Sequence, residues 1–125
     1  MKPLKRHPAL IGLSREHHHA LSLCVRVLRT PSENHRSDIE AQFPELLSHF
    51  DEEERQFAPY WHHIGAALKT RFDHDHAKLR AMIAAPEFDS EDWNKDFATT
   101  LRDHARFEER ELFPEIEPFL PPEAV

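Results

Sequence analysis

Two segments of this 125-residue chain repeat one arrangement of potential metal ligands. The first is His49-Phe-Asp-Glu-Glu53-Glu54-Arg-Gln-Phe-Ala-Pro59. The second, 55 residues later, is His104-Ala-Arg-Phe-Glu108-Glu109-Arg-Glu-Leu-Phe-Pro114. In each, a histidine precedes a glutamate by four positions, a second glutamate follows at once, and a proline stands six residues past the first glutamate. On a helix, residues four apart share a face, so each copy aims an imidazole nitrogen and a carboxylate the same way. One such pair alone reads as an exposed pair stabilising its helix by a few tenths of a kcal/mol. Two copies on neighbouring helices are what a dinuclear iron or manganese site requires, with carboxylates able to bridge and positions left open for a small molecule.

Two further helices must supply the remaining ligands. The segment Glu16-His17-His18-His19 offers two candidates. At 100° per residue, His17 lies nearest the apolar stripe of Leu13, Ala20 and Cys24. Matching His76, which precedes Leu79 by three, instead favours His18, which precedes Leu21 by three. Both remain candidates. His76 is the candidate from the third helix, while His74, His19, His62 and His63 point to solvent. Nitrogen and oxygen donors without thiolate suit iron or manganese better than a structural zinc site, although zinc is compatible with them. Cys24 reads as packing.

The elements that position these residues are helical. Apolar residues at helical spacing predict helices from 10 or 14 to 29, over 36–63, over 66–85 and over 91–113. Pro44 is expected to kink the second helix or mark its first turn, and Pro59 to bend or tighten its far end, with Gly65 closing it. Ser90 or Asp89 is a cap for the fourth helix, and Pro114 stops or kinks it. No segment alternates with period two, so the fold class is all-α: an antiparallel up-down-up-down four-helix bundle. The whole chain, 1–125, reads as one domain, with an irregular arm over 1–9 and a tail over 115–125 that lays Ile116, Phe119 and Leu120 across the bundle end.

Composition sets the outer bounds. A net charge of −7 disfavours nucleic acid, which calls for a basic face. No apolar run reaches membrane-span length, and the first residues lack the apolar core of a signal peptide. A single cysteine excludes an internal disulfide and fits the reducing cytoplasm. Eleven histidines against one tyrosine fit a metal-binding protein, or a polar surface. A dimerising helix face looks like a core face, so oligomeric state stays open and a homodimer is compatible with the pattern.

Taken together these residues resemble the hemerythrin-like, or HHE cation-binding, domain family. The resemblance rests on Leu13-Ser-Arg-Glu-His-His, His49-x-x-x-Glu53, Asp75-His76-Ala-Lys-Leu79 and His104-x-x-x-Glu108-Glu109 with Leu112-Phe-Pro114. It implies a four-helix bundle around a non-haem, oxo- or hydroxo-bridged di-iron centre, with Glu53 and Glu108 bridging and histidines as terminal ligands. One departure stands out: oxygen carriers of the family have a second histidine four residues before the one matching His76, and here that position is Phe72. Reversible oxygen carriage is therefore not expected. The expected function is sensing, storing or detoxifying oxygen, nitric oxide, peroxide or iron, with a small diatomic molecule or peroxide as partner. The competing readings are a di-iron oxidative enzyme of peroxidase or nitric-oxide reductase type, and a metal-free helical interaction module.

Overall fold

A computed structural model describes residues 6–121, and among these there is no strand. Helix α1 spans Pro8–Arg29, α2 Arg36–Phe57, α3 Ala66–Ala84 and α4 Glu91–Phe107, and a short α5, Phe113–Ile116, follows a π-turn at Glu108–Leu112. The architecture is an all-α four-helix bundle. Within the expected N-terminal arm, residues 1–5 lie outside the described residues, as do 122–125 of the tail.

Local chemistry explains the helix ends. Pro8 occupies the first turn of α1, where a missing N–H costs nothing, and the His7 Nδ1 accepts from the Ala9 N–H at 3.0 Å. The helix therefore starts earlier than 10 or 14. Pro44 sits on the exposed side of α2 without ending it, since water can satisfy the carbonyl that its ring leaves unpaired. Pro59 lies in a six-residue segment, Ala58–His63, that tightens into 3₁₀ geometry, so the α-helix ends at Phe57 rather than 63. Gly65 takes no left-handed cap; with φ −56° and ψ 136° it leads into α3. Ser90 caps α4 through its hydroxyl, which accepts from the Trp93 N–H at 3.1 Å, and Glu91 and Asp92 complement the helix dipole.

Cross-helix hydrogen bonds set the packing order. Gln56 reaches the Ala9 carbonyl, His49 meets Glu16 and His19 meets Glu45 between α1 and α2. Glu54 meets His76 and Asp51 meets Arg80 between α2 and α3. Asp75 meets His104 and Lys78 meets Asp96 between α3 and α4. Ser14 meets Glu109 near one end of α1 and α4, and Asn94 holds the Pro31 carbonyl at the other. In every pair the residue numbers rise on one helix as they fall on its neighbour.

The core divides into two apolar clusters. One gathers Leu23, Val27, Ile39, Phe50, Leu79 and Phe97 near the α1–α2 and α3–α4 links. The other gathers Leu10, Phe57, Phe72, Phe107, Phe113 and Ile116 at the opposite end. Burying each such side chain contributes ~1.5–3 kcal/mol. The tail closes the second cluster with Ile116 and Leu120, while Phe119 stays 41% exposed and stacks on His63. Between the clusters lies a polar layer. No described helix is long and apolar enough to cross a membrane.

Candidate metal centre

The polar layer is built from His17, His49, Glu53, His76, His104 and Glu108, all buried, with both glutamates 0% exposed. His18 is not among them: one residue along the helix, about 100° away, it is exposed on the outer face of α1. His74 is exposed as well. Two sets of ligand atoms converge, His17, His49, Glu53 and Glu108 in one and His76, His104, Glu53 and Glu108 in the other, with the atoms of each set within 4.8 Å of one another. Both glutamates belong to both sets. Glu53 divides its two oxygens, Oε2 lying 3.2 Å from His49 Nε2 and Oε1 3.2 Å from His76 Nε2. Glu108 Oε1 lies 2.8 Å from His17 Nε2 and 3.2 Å from His104 Nε2.

These inner atoms are poorly paired by the protein itself. His49 Nε2, His76 Nε2, His104 Nε2, both Glu53 oxygens and Glu108 Oε2 are buried with no hydrogen-bond partner among the described residues. Leaving so many polar atoms unpaired would cost ~1–3 kcal/mol each. Convergent imidazole and carboxylate lone pairs without thiolate fit a divalent or trivalent cation of the iron and manganese type. The donor set therefore fits a bound metal.

The outer nitrogens are, by contrast, fully engaged. Each Nδ1 meets a carboxylate: His17 with Glu109 at 2.7 Å, His49 with Glu16 at 2.9 Å, His76 with Glu54 at 2.7 Å and His104 with Asp75 at 2.9 Å. This fixes every ring with Nε2 facing inward. The residue pattern contains all four acids without revealing their role, yet they follow a rule. In each His-x-x-x-Glu-Glu segment the first glutamate enters the centre and the second binds the histidine of another helix. The acid preceding each lone histidine, Glu16 or Asp75, binds the histidine of the paired segment. Arginines reinforce three of the four: Arg6 holds Glu109, Arg80 holds Glu54 and Arg71 holds Asp75. Those guanidiniums lie over Phe113, Phe50 and Phe107 respectively. Glu16 has no cationic partner besides His49 among the described residues.

The second glutamate of the later segment reaches its histidine because the helix widens. The Phe113 N–H donates to the Glu108 carbonyl, five residues back, instead of to Glu109. Pro114 has no N–H, so the Glu109 carbonyl loses its helical partner, and Arg6 Nη2 donates to it at 3.0 Å. This correction to a continuous helix over 91–113 lets adjacent Glu108 and Glu109 both address His17, one at each ring nitrogen.

Burial and neighbouring charge polarise the protonation of the centre. Burial and the charge of Glu108 raise the Glu53 carboxyl well above its ordinary range. Burial would raise Glu108 too, but His104 and further imidazole hydrogen bonds outweigh it and hold Glu108 well below that range. Burial pushes His104 down, yet Glu108 and Asp75 carry it up to about 10. The same contest, won by Glu108 and Glu109, puts His17 at about 8. His76 drops to about 4 through burial and the nearby charge of His104. A metal must displace protons from some of these groups.

The two sets differ in their surroundings. His76 sits against Phe72 and Phe50, with ring centroids 4.0 and 4.6 Å away. Phe72, 1% exposed, thus fills with hydrocarbon the place next to His76. A cavity of about 10 Å³ lies against His17, His49 and His104, and Glu16, Ala20, Leu46, Phe50 and Leu101 also line it. It has room for one water-sized molecule.

A helical bundle whose buried core gathers imidazoles around two shared carboxylates belongs to the metal-binding bundles. Residues 10–116 match the family model described as the hemerythrin HHE cation binding domain, and the chain belongs to that family. No curated protein and no solved structure matches it.

Proposed function

We propose that the centre holds two non-haem irons and that the protein senses, stores or detoxifies oxygen, nitric oxide, peroxide or iron. The observation that carries this reading is the sharing of Glu53 and Glu108 between two ligand sets. Each set contributes two imidazoles, so two ions would be held by four nitrogens and a common pair of carboxylates. Bound iron would supply Lewis acidity and redox chemistry toward a small ligand. The chain supplies orientation and exclusion. The outer carboxylates hold the histidine rings in register, Phe72 covers His76 with hydrocarbon, and the cavity beside His17, His49 and His104 admits only a small molecule.

With Phe72 in place of a further histidine, the donors number fewer than in the family's oxygen carriers, and the reading remains one of sensing or detoxification rather than transport. The cavity is too small for an organic substrate, which favours a binding role over an oxidative enzyme acting on one. Manganese or zinc would fit the same donors. Working in the reducing cytoplasm is part of the proposal, in keeping with the lone buried Cys24.

Anaerobic reconstitution with ferrous iron, followed by metal analysis and absorption spectroscopy after oxidation, tests it. About two irons per chain with near-ultraviolet oxo-to-iron bands are expected. Less than one iron per chain without those bands would rule out the dinuclear reading. Steady-state turnover of peroxide or nitric oxide would move the assignment to an enzyme.

A further inference from the structure

The outer face of α1 carries a short apolar strip in which half-buried Leu21 and Leu28 flank exposed Val25, with Leu28 also packed on the core. Ile11 and Val25 are 45% and 54% exposed, two heptads apart on one line of the helix. His18 lies midway on that line. Leu21, Val25 and Leu28, spaced four and three residues, line a groove together with Arg29, Arg102 and Arg106. Heptad spacing of this kind seats a second helix.

The charge of the groove opposes that of the chain. Against a net charge of −7, three arginines converge on one apolar strip. Arg102 is engaged by its neighbour Asp103 at 3.0 Å. Arg29 and Arg106, like Arg15 and Arg110, have no ion pair among the described residues, whereas Arg6, Arg36, Arg55, Arg71 and Arg80 each face a carboxylate. A symmetric pair of copies meeting here would bring like charges together, which argues against self-association through this face.

We propose that the α1–α4 groove is a docking site for an acidic amphipathic helix of a partner protein. The partner would lay apolar residues at i, i+4 and i+7 over Leu21, Val25 and Leu28, with carboxylates reaching Arg29 and Arg106. This explains an exposed valine at the centre of a cationic rim, and it is independent of what the buried centre binds.

The test uses the full-length protein and two fluorescein-labelled helical peptides with the same heptad leucines, one flanked by glutamates and one by lysines. Fluorescence anisotropy should show saturable binding of the acidic peptide, weakened by salt, and none of the lysine peptide. Val25→Glu and Arg106→Glu should each weaken binding by about tenfold or more, since one removes the apolar centre and the other reverses the rim. Leu47→Glu, at an exposed position on α2, should leave it unchanged. Circular dichroism and metal content identify any variant that misfolds, and Val25→Ser with Arg106→Gln provides a milder pair. Absence of binding, or equal binding by the three charge-bearing variants, would overturn the proposal. So would binding of phosphatidylglycerol vesicles in preference to the acidic peptide, or self-association of the unmodified protein that Val25→Glu abolishes.

Discussion

The first half of the chain, α1 and α2, and the second, α3 and α4, follow one plan with different finishing. Each half contributes a lone histidine preceded by an acid and a His-x-x-x-Glu-Glu segment. In the second half, Asp75 is braced by Arg71 and His76 is packed between phenylalanine rings. In the first, Glu16 is one-third exposed and unbraced, and both histidines, His17 and His49, line the cavity, which His104 but not His76 of the second half also reaches. One plan can thus yield a stiffer metal position and a softer one with both its histidines next to space for a ligand. The difference lies in the surroundings, since each half supplies the same types of donor.

The largest break in the comparison should come from a group both halves share. Glu108→Ala removes a donor from both sets, and iron content should fall by at least about half while far-ultraviolet circular dichroism stays helical. A variant with its full complement of iron would refute the shared role of Glu108.

Changing one half at a time should separate the two positions. His49→Ala and His76→Ala are each expected to lower loading toward about one iron per chain. Azide added to the oxidised protein should shift the spectrum of the His76→Ala variant more than that of His49→Ala, because His17 and His49 both line the cavity and His76 does not. Equal responses would show that the cavity does not mark the open position.

The outer acids provide a finer measure. Loss of such a partner commonly weakens metal affinity by about 10–100-fold. Asp75→Asn should sit high in that range and Glu16→Gln low, since of these two acids Asp75 alone is braced by an arginine. Competition with a chromophoric chelator gives the ranking, and the reverse order would remove bracing as the explanation.

Proton release offers a further test. His104 at about 10 and His17 at about 8 are raised, so both carry protons at pH 7 that a metal must displace. Iron affinity should therefore rise with pH through that range, with protons released in calorimetry across buffers of different ionisation enthalpy. In chelated protein the sign for folding is opposite. The raised His104 stabilises fully below the unfolded value of 6.5, and that contribution is lost as pH climbs toward about 10. His76, depressed to about 4, stabilises above 6.5 and loses its contribution as pH falls toward 4. Chelated protein should melt highest near the middle of these ranges. The smallest effect is expected from His18→Ala and His74→Ala, whose iron content should match that of the unmodified protein.

Much of this arrangement is legible in the residue pattern because the helices are long and their apolar stripes regular. The same phase rule that separates His17 from its neighbour His18 orients the lone histidine of α1 inward. It fails after Phe107, where a constant 100° per residue no longer holds; a proline six residues past Glu108 is the visible trace of that change. The bracing acids stand beside histidines in the sequence, but acids beside histidines are common on helix surfaces, and only packing reveals which imidazole each one meets. Arg6 is the least readable. It stands among cations in a segment that reads as an irregular arm, and its partners, the Glu109 carbonyl and carboxylate and the Glu117 carboxylate, all lie more than 100 residues away.

That contact has a consequence for the order in which the molecule assembles. Arg6 meets Glu117 across 111 residues and His17 meets Glu108 across 91, whereas His76 meets Glu54 across 22 and His104 meets Asp75 across 29. Closing a longer loop costs more chain entropy before any contact rewards it. The set containing His76 can form while α2, α3 and α4 collapse, but the set containing His17 waits until the two ends of the chain meet. During refolding, the first metal position should become competent before the second, and α1 should be the last helix to gain protection from hydrogen exchange.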